Sequence, residues 1–138
     1  MDVKRINDHV SVSPQISPDD IAQIKAAGFV AIINNRPDGE SPDQPSSATI
    51  EAAAEAAGLG YHYIPLGREG VSPEMVEETK AVLEGSTGPV FCYCRSGTRS
   101  TTLWALSQAG KLPAQEIVSA AAHAGYDMSH LLGHLSQK

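Results

Sequence analysis

The sequence predicts an α/β fold in which a central, mostly parallel sheet of about four strands is flanked by helices. Three observations predict it. Short apolar runs rich in β-branched or aromatic residues alternate with longer segments of helical pattern. Those segments open on helix-start residues (Ser17–Pro18, Ser72–Pro73, Pro113) and close on glycine (Gly28, Gly58, Gly110). The runs "FVAIIN" and "PVFCY" lack polar alternation, as strands covered on both faces require.

In chain order, the alternation in His9–Ser13 predicts the first strand. Ser17–Gly28 reads as a helix, with Ser17 as N-cap, Pro18 in the first turn, Asp20 completing a capping box and Gly28 as the stop. Phe29–Asn34 is the second strand, and the Pro-, Ser- and Asp-rich stretch Asn35–Ser47 is a loop leaving its carboxyl end. Ala48–Gly58 is a helix, Tyr61–Pro65 the third strand, Leu66–Ser72 a loop, Ser72–Gly85 a helix and Pro89–Tyr93 the fourth strand. Helices then follow over Ser100–Gly110, Pro113–Gly125 and Asp127–Gln137. Right-handed crossovers between parallel strands bring every strand-to-helix loop to one edge of the sheet, where open sheets carry their sites.

The 138 residues suit one domain over 1–138. No apolar run approaches the ~20 residues of a membrane span, and Met1–Asp8 has no apolar core of a secretory leader, so a cytoplasmic protein without membrane attachment is expected. A net charge of −6 opposes nucleic-acid binding. Within that acidic chain Arg36, Arg68, Arg95 and Arg99 all fall in loops beside strand ends, which leaves room for a local anion site. The two cysteines stand one residue apart and are expected as thiols.

Chemistry concentrates in "FCYCRSGTRS", residues 91–100. A strand ending at Cys94, a loop Arg95-Ser96-Gly97-Thr98 and a helix start aim backbone N–H groups at one point, which favours an anion there and the thiolate of Cys94 at the mouth of the loop. Gly97 permits the turn that lets the amides converge, Arg99 offers a planar fork, and Ser100 is placed to cap the helix or donate to the sulfur. Cys94, Arg99 and Ser100 are the expected catalytic residues. Cys92, inside an apolar run, reads as core rather than as a resolving thiol. Trp104 also reads as core, and His62 as a structural histidine. His130 and His134, four apart with His123 nearby, lack a third ligand at metal-binding spacing, so neither metal nor cofactor is expected.

The chain resembles the dual-specificity protein phosphatases and, more closely, the phosphatase-like domain of the beta-lactamase-hydrolase-like family. The resemblance lies in "ISPDDIAQIKAAGFVAIINNRPDGE" (16–40), "YHYIPL" (61–66) and "AAAHAGYDMSHL" (120–131), together with the cysteine loop. It implies a three-layer fold like that of protein tyrosine phosphatases. In those phosphatases a histidine precedes the cysteine and five residues separate it from the arginine, whereas here Tyr93 precedes Cys94 and four residues precede Arg99. That shorter loop is similar to the active-site loop of rhodanese sulfurtransferases, which carry sulfur as a cysteine persulfide.

Two chemistries are therefore in play. A tight loop suits one added sulfur atom, and a persulfide or thiosulfate expels a group that needs no general acid. The leading expectation is a rhodanese-like sulfurtransferase in which Cys94 takes sulfur from a small anionic donor, thiosulfate or a persulfide, and passes it to a thiol acceptor. The alternative is a cysteine-dependent phosphatase acting on a phosphate ester through a Cys94 phosphocysteine; a non-catalytic anion- or partner-binding module comes third. For the phosphatase, Glu69 in the "LGREGVS" loop is the carboxylate where the resemblance puts the general acid, and Asp38 and Glu40 are further candidates that read more readily as solvated turn residues. Arg36, Arg68 and Arg95 are expected in or near the pocket. The resemblance also implies that relatives carry a metallo-beta-lactamase-type domain, of which these 138 residues show nothing. A separate sulfur-oxidising partner enzyme would then be its counterpart.

Overall fold

The computed structural model describes residues 1–135. Five strands form one sheet in the order β1-β2-β5-β3-β4: β1 (Lys4–Arg5), β2 (Val10–Ser13), β3 (Ala31–Asn34), β4 (Gly60–Tyr63) and β5 (Val90–Tyr93). The last four are mutually parallel, and β1 is an antiparallel edge. β1 is a strand beyond those expected, because two residues are too few to show alternation. What makes it is the turn at Asn7, whose Oδ1 accepts the N–H groups of His9 (2.8 Å) and Val10 (3.0 Å) and so folds Lys4 and Arg5 back onto Val12 and Ser11.

The helices are α1 (Ile21–Ala26), α2 (Ser47–Ala56), α3 (Pro73–Gly85), α4 (Thr98–Ser107), α5 (Ala114–His123) and α6 (Leu132–Leu135). Short 3₁₀ turns at Pro18–Asp20 and Ser129–Leu131 precede α1 and α6. The predicted starts at Ser17 and Ser72 hold: Ser17 N–H donates to the Asp20 carboxylate (2.9 Å), and the Ser72 hydroxyl accepts Met75 N–H (3.2 Å). Two helices differ from expectation. The last begins only at Ser129, because Asp127 Oδ1 takes the N–H (3.0 Å) and hydroxyl (2.6 Å) of Ser129 in a local turn that competes with helix. Its expected last residues, Ser136 and Gln137, lie outside the described residues. The other is α4, which starts two residues earlier than predicted.

Two cores line the faces of the sheet. Phe91 and Tyr93 of β5 join Ile16, Ile21, Ile24 and Ile50 under α1 and α2. Val90 and Cys92 point the other way, to Leu103, Trp104, Ile117 and Met128 under α4, α5 and the segment beyond. Trp104 and Cys92 are thus core residues, as expected, and burial pushes the Cys92 thiol up to about 12, with Cys94 adding a smaller push. His62 is not enclosed: it sits exposed on β4, the outer strand.

Because β5 lies between β2 and β3, its chain leaves toward the α4 face while the chains leaving both neighbours go to the opposite face. Connections that part in this way open a crevice at the strands' carboxyl ends, and Cys94 is the residue that follows β5 into it. Among the described residues no helix is long and apolar enough to cross a membrane.

Candidate active site

The loop that β5 feeds into α4 is drawn around one sulfur. Gly97, at φ +96°, is the N-cap of α4, a left-handed conformation that costs a side-chain-bearing residue energy. That turn aims the Gly97 N–H at Cys94 Sγ, 3.0 Å away, while the Gly97 carbonyl accepts Thr101 N–H (3.0 Å) and the Thr101 hydroxyl (2.8 Å) to begin the helix. Ser96 and Thr98 hold each other through their hydroxyls at 3.2 Å, and Arg95 is exposed.

Two expectations about this loop need correction. Cys94 is not at the mouth: it is 0 % exposed, on the floor beneath the loop. Residue spacing shows that a loop encircles the cysteine and cannot show that the loop also covers it. Ser100 is not the cap either, since the earlier start of α4 places it inside the first turn, 1 % exposed, where its hydroxyl has no hydrogen-bond partner.

Arg99 spans from the sulfur to a second loop. Its guanidinium grips the Glu40 carboxylate with both terminal nitrogens, Nη1 to Oε2 at 2.7 Å and Nη2 to Oε1 at 2.8 Å, and Nη1 also donates to the Leu66 carbonyl at 2.9 Å. Those hydrogen bonds to Glu40, with a lesser contribution from the adjacent Cys94 sulfur, raise the Arg99 pKa above its ordinary value. Glu40 is held in turn by Arg36, whose Nε donates to Oε1 at 3.0 Å. The Arg99 hydrogen bonds lower the Glu40 pKa to about 2, outweighing the opposing effect of burial, and the weaker Arg36 hydrogen bond adds to the fall.

Glu40 therefore belongs to the site, and its reading as a solvated turn residue is wrong. Its partner Arg99 is fifty-nine positions away in sequence, and only its pairing with Arg36, four residues away, is local. Arg36 also differs from expectation: only 4 % exposed, it spends its other nitrogens on Gln15 Oε1 (3.0 Å) and Ser41 Oγ (3.3 Å) and props Glu40 from below instead of facing a ligand. Asp38 is occupied as well. Its Oδ1 accepts the N–H of Ser47 at the start of α2 (2.7 Å) and its own N–H donates to the Tyr63 hydroxyl (2.9 Å), so it is a structural residue and not a free acid.

Above this assembly lies an open groove of about 550 Å³, lined by Glu40, Glu69 and the arginines Arg68, Arg95 and Arg99, with Pro37, Gly39 and Gly67 between them. Glu69 and Arg68 are exposed on its rim. One further contact was not foreseen. Tyr126, from the turn after α5, lays its ring over Gly97 and donates its hydroxyl to the Ser96 carbonyl at 3.0 Å, and burial followed by the nearby Cys94 raises its pKa. The only sequence signal for it was its place within the 120–131 stretch.

A thiol under a ring of donors at the crevice of an α/β sheet is an arrangement shared by more than one kind of enzyme, and comparison with known proteins narrows it. Residues 2–111 match the family described as beta-lactamase hydrolase-like protein, phosphatase-like domain. The chain belongs to that family. A beta-lactamase hydrolase-like protein of Agrobacterium fabrum is 34 % identical over 130 residues, covering 93 % of this chain and 30 % of the relative. One from Xylella fastidiosa is 33 % identical over 141 residues, covering all of this chain and 32 % of the relative. The chain thus spans about a third of the length of these curated relatives. Among solved structures, a candidate phosphatase from Neisseria meningitidis superimposes with a TM-score of 0.84 at 33 % identity, covering 99 % of this chain and 98 % of the other. The fold is accordingly that of phosphatase-like proteins, and these relatives align the site with phosphatase-like chemistry. They lend no support to the sulfur transfer expected from the loop length.

Proposed function

We propose that this domain hydrolyses phosphate monoesters through a phosphocysteine on Cys94. The observation that supports it most is the Gly97 amide aimed at the Cys94 sulfur beside the anchored guanidinium of Arg99, in a chain whose family is phosphatase-like. In the first step the Cys94 thiolate attacks phosphorus, an S–P bond forms and the ester P–O bond breaks. Loop amides, the α4 N-terminus and Arg99 take up the charge on the phosphoryl oxygens. The leaving oxygen takes a proton from Glu69, which we assign as general acid because Glu40 is held by two arginines and Asp38 by the start of α2. Water then attacks phosphorus, the S–P bond breaks, and inorganic phosphate and the thiolate are released. We assign the unpartnered hydroxyl of Ser100 as a donor to the departing sulfur once the loop shifts. Since Cys94 is fully covered, the loop or the Arg99–Glu40 pair above it shifts to admit substrate.

The test is hydrolysis of an aryl phosphate and of an alkyl phosphate by the wild type, Cys94→Ser and Glu69→Gln. Cys94→Ser abolishes both reactions. Glu69→Gln slows the alkyl ester by about a hundred-fold and the aryl ester much less, because a phenoxide leaves with little help. Absence of any Cys94-dependent release of phosphate defeats the reading.

A second reading, sulfur transfer through a Cys94 persulfide, has one specific observation in its favour: four residues, not five, separate Cys94 from Arg99. Intact-mass measurement after incubation with thiosulfate or glutathione persulfide decides it, a gain of one sulfur that is lost in Cys94→Ser being the positive result.

A further inference from the structure

Two cations in the groove are left over after the phosphoryl site is assembled. The loop amides and Arg99 serve the reacting group, and Arg99 and Arg36 share Glu40. Arg68, from the loop after β4, and Arg95, from the loop after β5, line the same groove, and neither has an ion pair or side-chain hydrogen bond among the described residues. Exposed arginines of an acidic chain with net charge −6 have abundant carboxylates to pair with; these two converge instead on open space, where the one uncommitted carboxylate is Glu69.

The walls of the groove say more about what fills it. They contain no aromatic side chain, only Pro37 and glycines between the charges, so recognition there rests on the charged groups. Its volume of about 550 Å³ is that of a small-molecule site.

Building on the phosphatase reading, we infer that Arg68 and Arg95 form a second anion subsite, and that the substrate is a small phosphate monoester carrying another phosphate or a carboxylate. One anionic group lies on the loop under attack by Cys94, and the other is held by the two free guanidinium groups.

Binding to Cys94→Ser protein tests this without turnover. Its affinity is measured calorimetrically, at constant ionic strength, for propyl phosphate and for a short series of ethane-1,2-diyl, propane-1,3-diyl and butane-1,4-diyl bisphosphates. At least one bisphosphate binds about ten-fold or more tightly than propyl phosphate, and adding Arg68→Ala and Arg95→Ala brings that ratio to about one. The inference is overturned if no bisphosphate is preferred, if neither ligand class binds, or if the preference survives loss of both arginines. The two proposals separate cleanly. A preference that depends on the arginines, in a protein whose wild type releases no phosphate, keeps the subsite and removes the phosphatase; Cys94-dependent turnover with equal affinities removes the subsite alone.

Discussion

Replacing Glu40 by Gln is the perturbation whose size the structure sets most directly. The carboxylate accepts from both terminal nitrogens of Arg99 and from Nε of Arg36, and its pKa falls from 4.5 to about 2. At about 1.4 kcal/mol per pH unit that fall corresponds to about 3 kcal/mol of preference for the charged form in the folded protein. The side chain is 27 % exposed, so solvent screening reduces the useful part to about 2 kcal/mol. Since the folded pKa is the lower one, this stability is present in full above 4.5 and is lost as pH falls toward 2.

Urea unfolding followed by the fluorescence of Trp104, the one tryptophan, reads it. At neutral pH Glu40→Gln lowers the midpoint by about 1 M, and the gap to wild type closes as both are acidified from pH ~5 to ~2.5. The same change frees Arg99 from its anchor, so hydrolysis of p-nitrophenyl phosphate falls by about ten-fold or more in kcat/KM. A variant as stable as wild type at neutral pH, or a stability gap that persists unchanged in acid, refutes the account of Glu40 as a charged strut.

Three further outcomes follow from the geometry. Gly97→Ala puts a β-carbon into the Tyr126 hydroxyl and ring at a φ of +96°, so it lowers the melting temperature and abolishes activity together, as a paired melt and rate assay would show. Tyr126→Phe removes only the hydrogen bond to the Ser96 carbonyl; it costs about 1 kcal/mol in urea unfolding and speeds iodoacetamide labelling of Cys94 as the loop loosens. Trp104→Ala, at a site 1 % exposed, costs about 3–5 kcal/mol by the same denaturation assay, with circular dichroism as the probe.

The four parallel strands, the helix starts at Ser17 and Ser72 and the place of Cys94 at the end of its strand were legible because each is written in a short window. β-branched runs, Ser-Pro starts and glycine stops act over a few residues, and a parallel sheet brings its loops to one edge whatever those loops contain. The parts that were not legible depend on encounters across the chain. Arg99 meets Glu40, Tyr126 meets Ser96, and Arg36 meets Gln15 over distances in sequence that no local pattern spans. Asp38 shows the converse: its residue type and loop fit a general acid, yet the neighbouring start of α2 needed an acceptor and took it.

Loop length cannot by itself decide what Cys94 carries, for a reason visible in the structure. The sulfur has no exposed surface, so a single added sulfur atom and a phosphoryl group with three outer oxygens both require the cover to yield. What differs is how far. The cover is made of Tyr126, fastened to the loop through Ser96, and of Arg99, fastened to Glu40 on a loop rich in proline and glycine. The second fastening is ionic and leads into the groove, so an arriving phosphate dianion competes for the same guanidinium that Glu40 holds, and it draws Arg99 onto itself as it enters. A neutral persulfide has far less with which to compete, whereas thiosulfate, itself a dianion, competes for Arg99 as a phosphate does. On the phosphatase reading, the anionic latch on Arg99, more than the count of residues between Cys94 and Arg99, is the feature that favours a dianionic ligand over a neutral one.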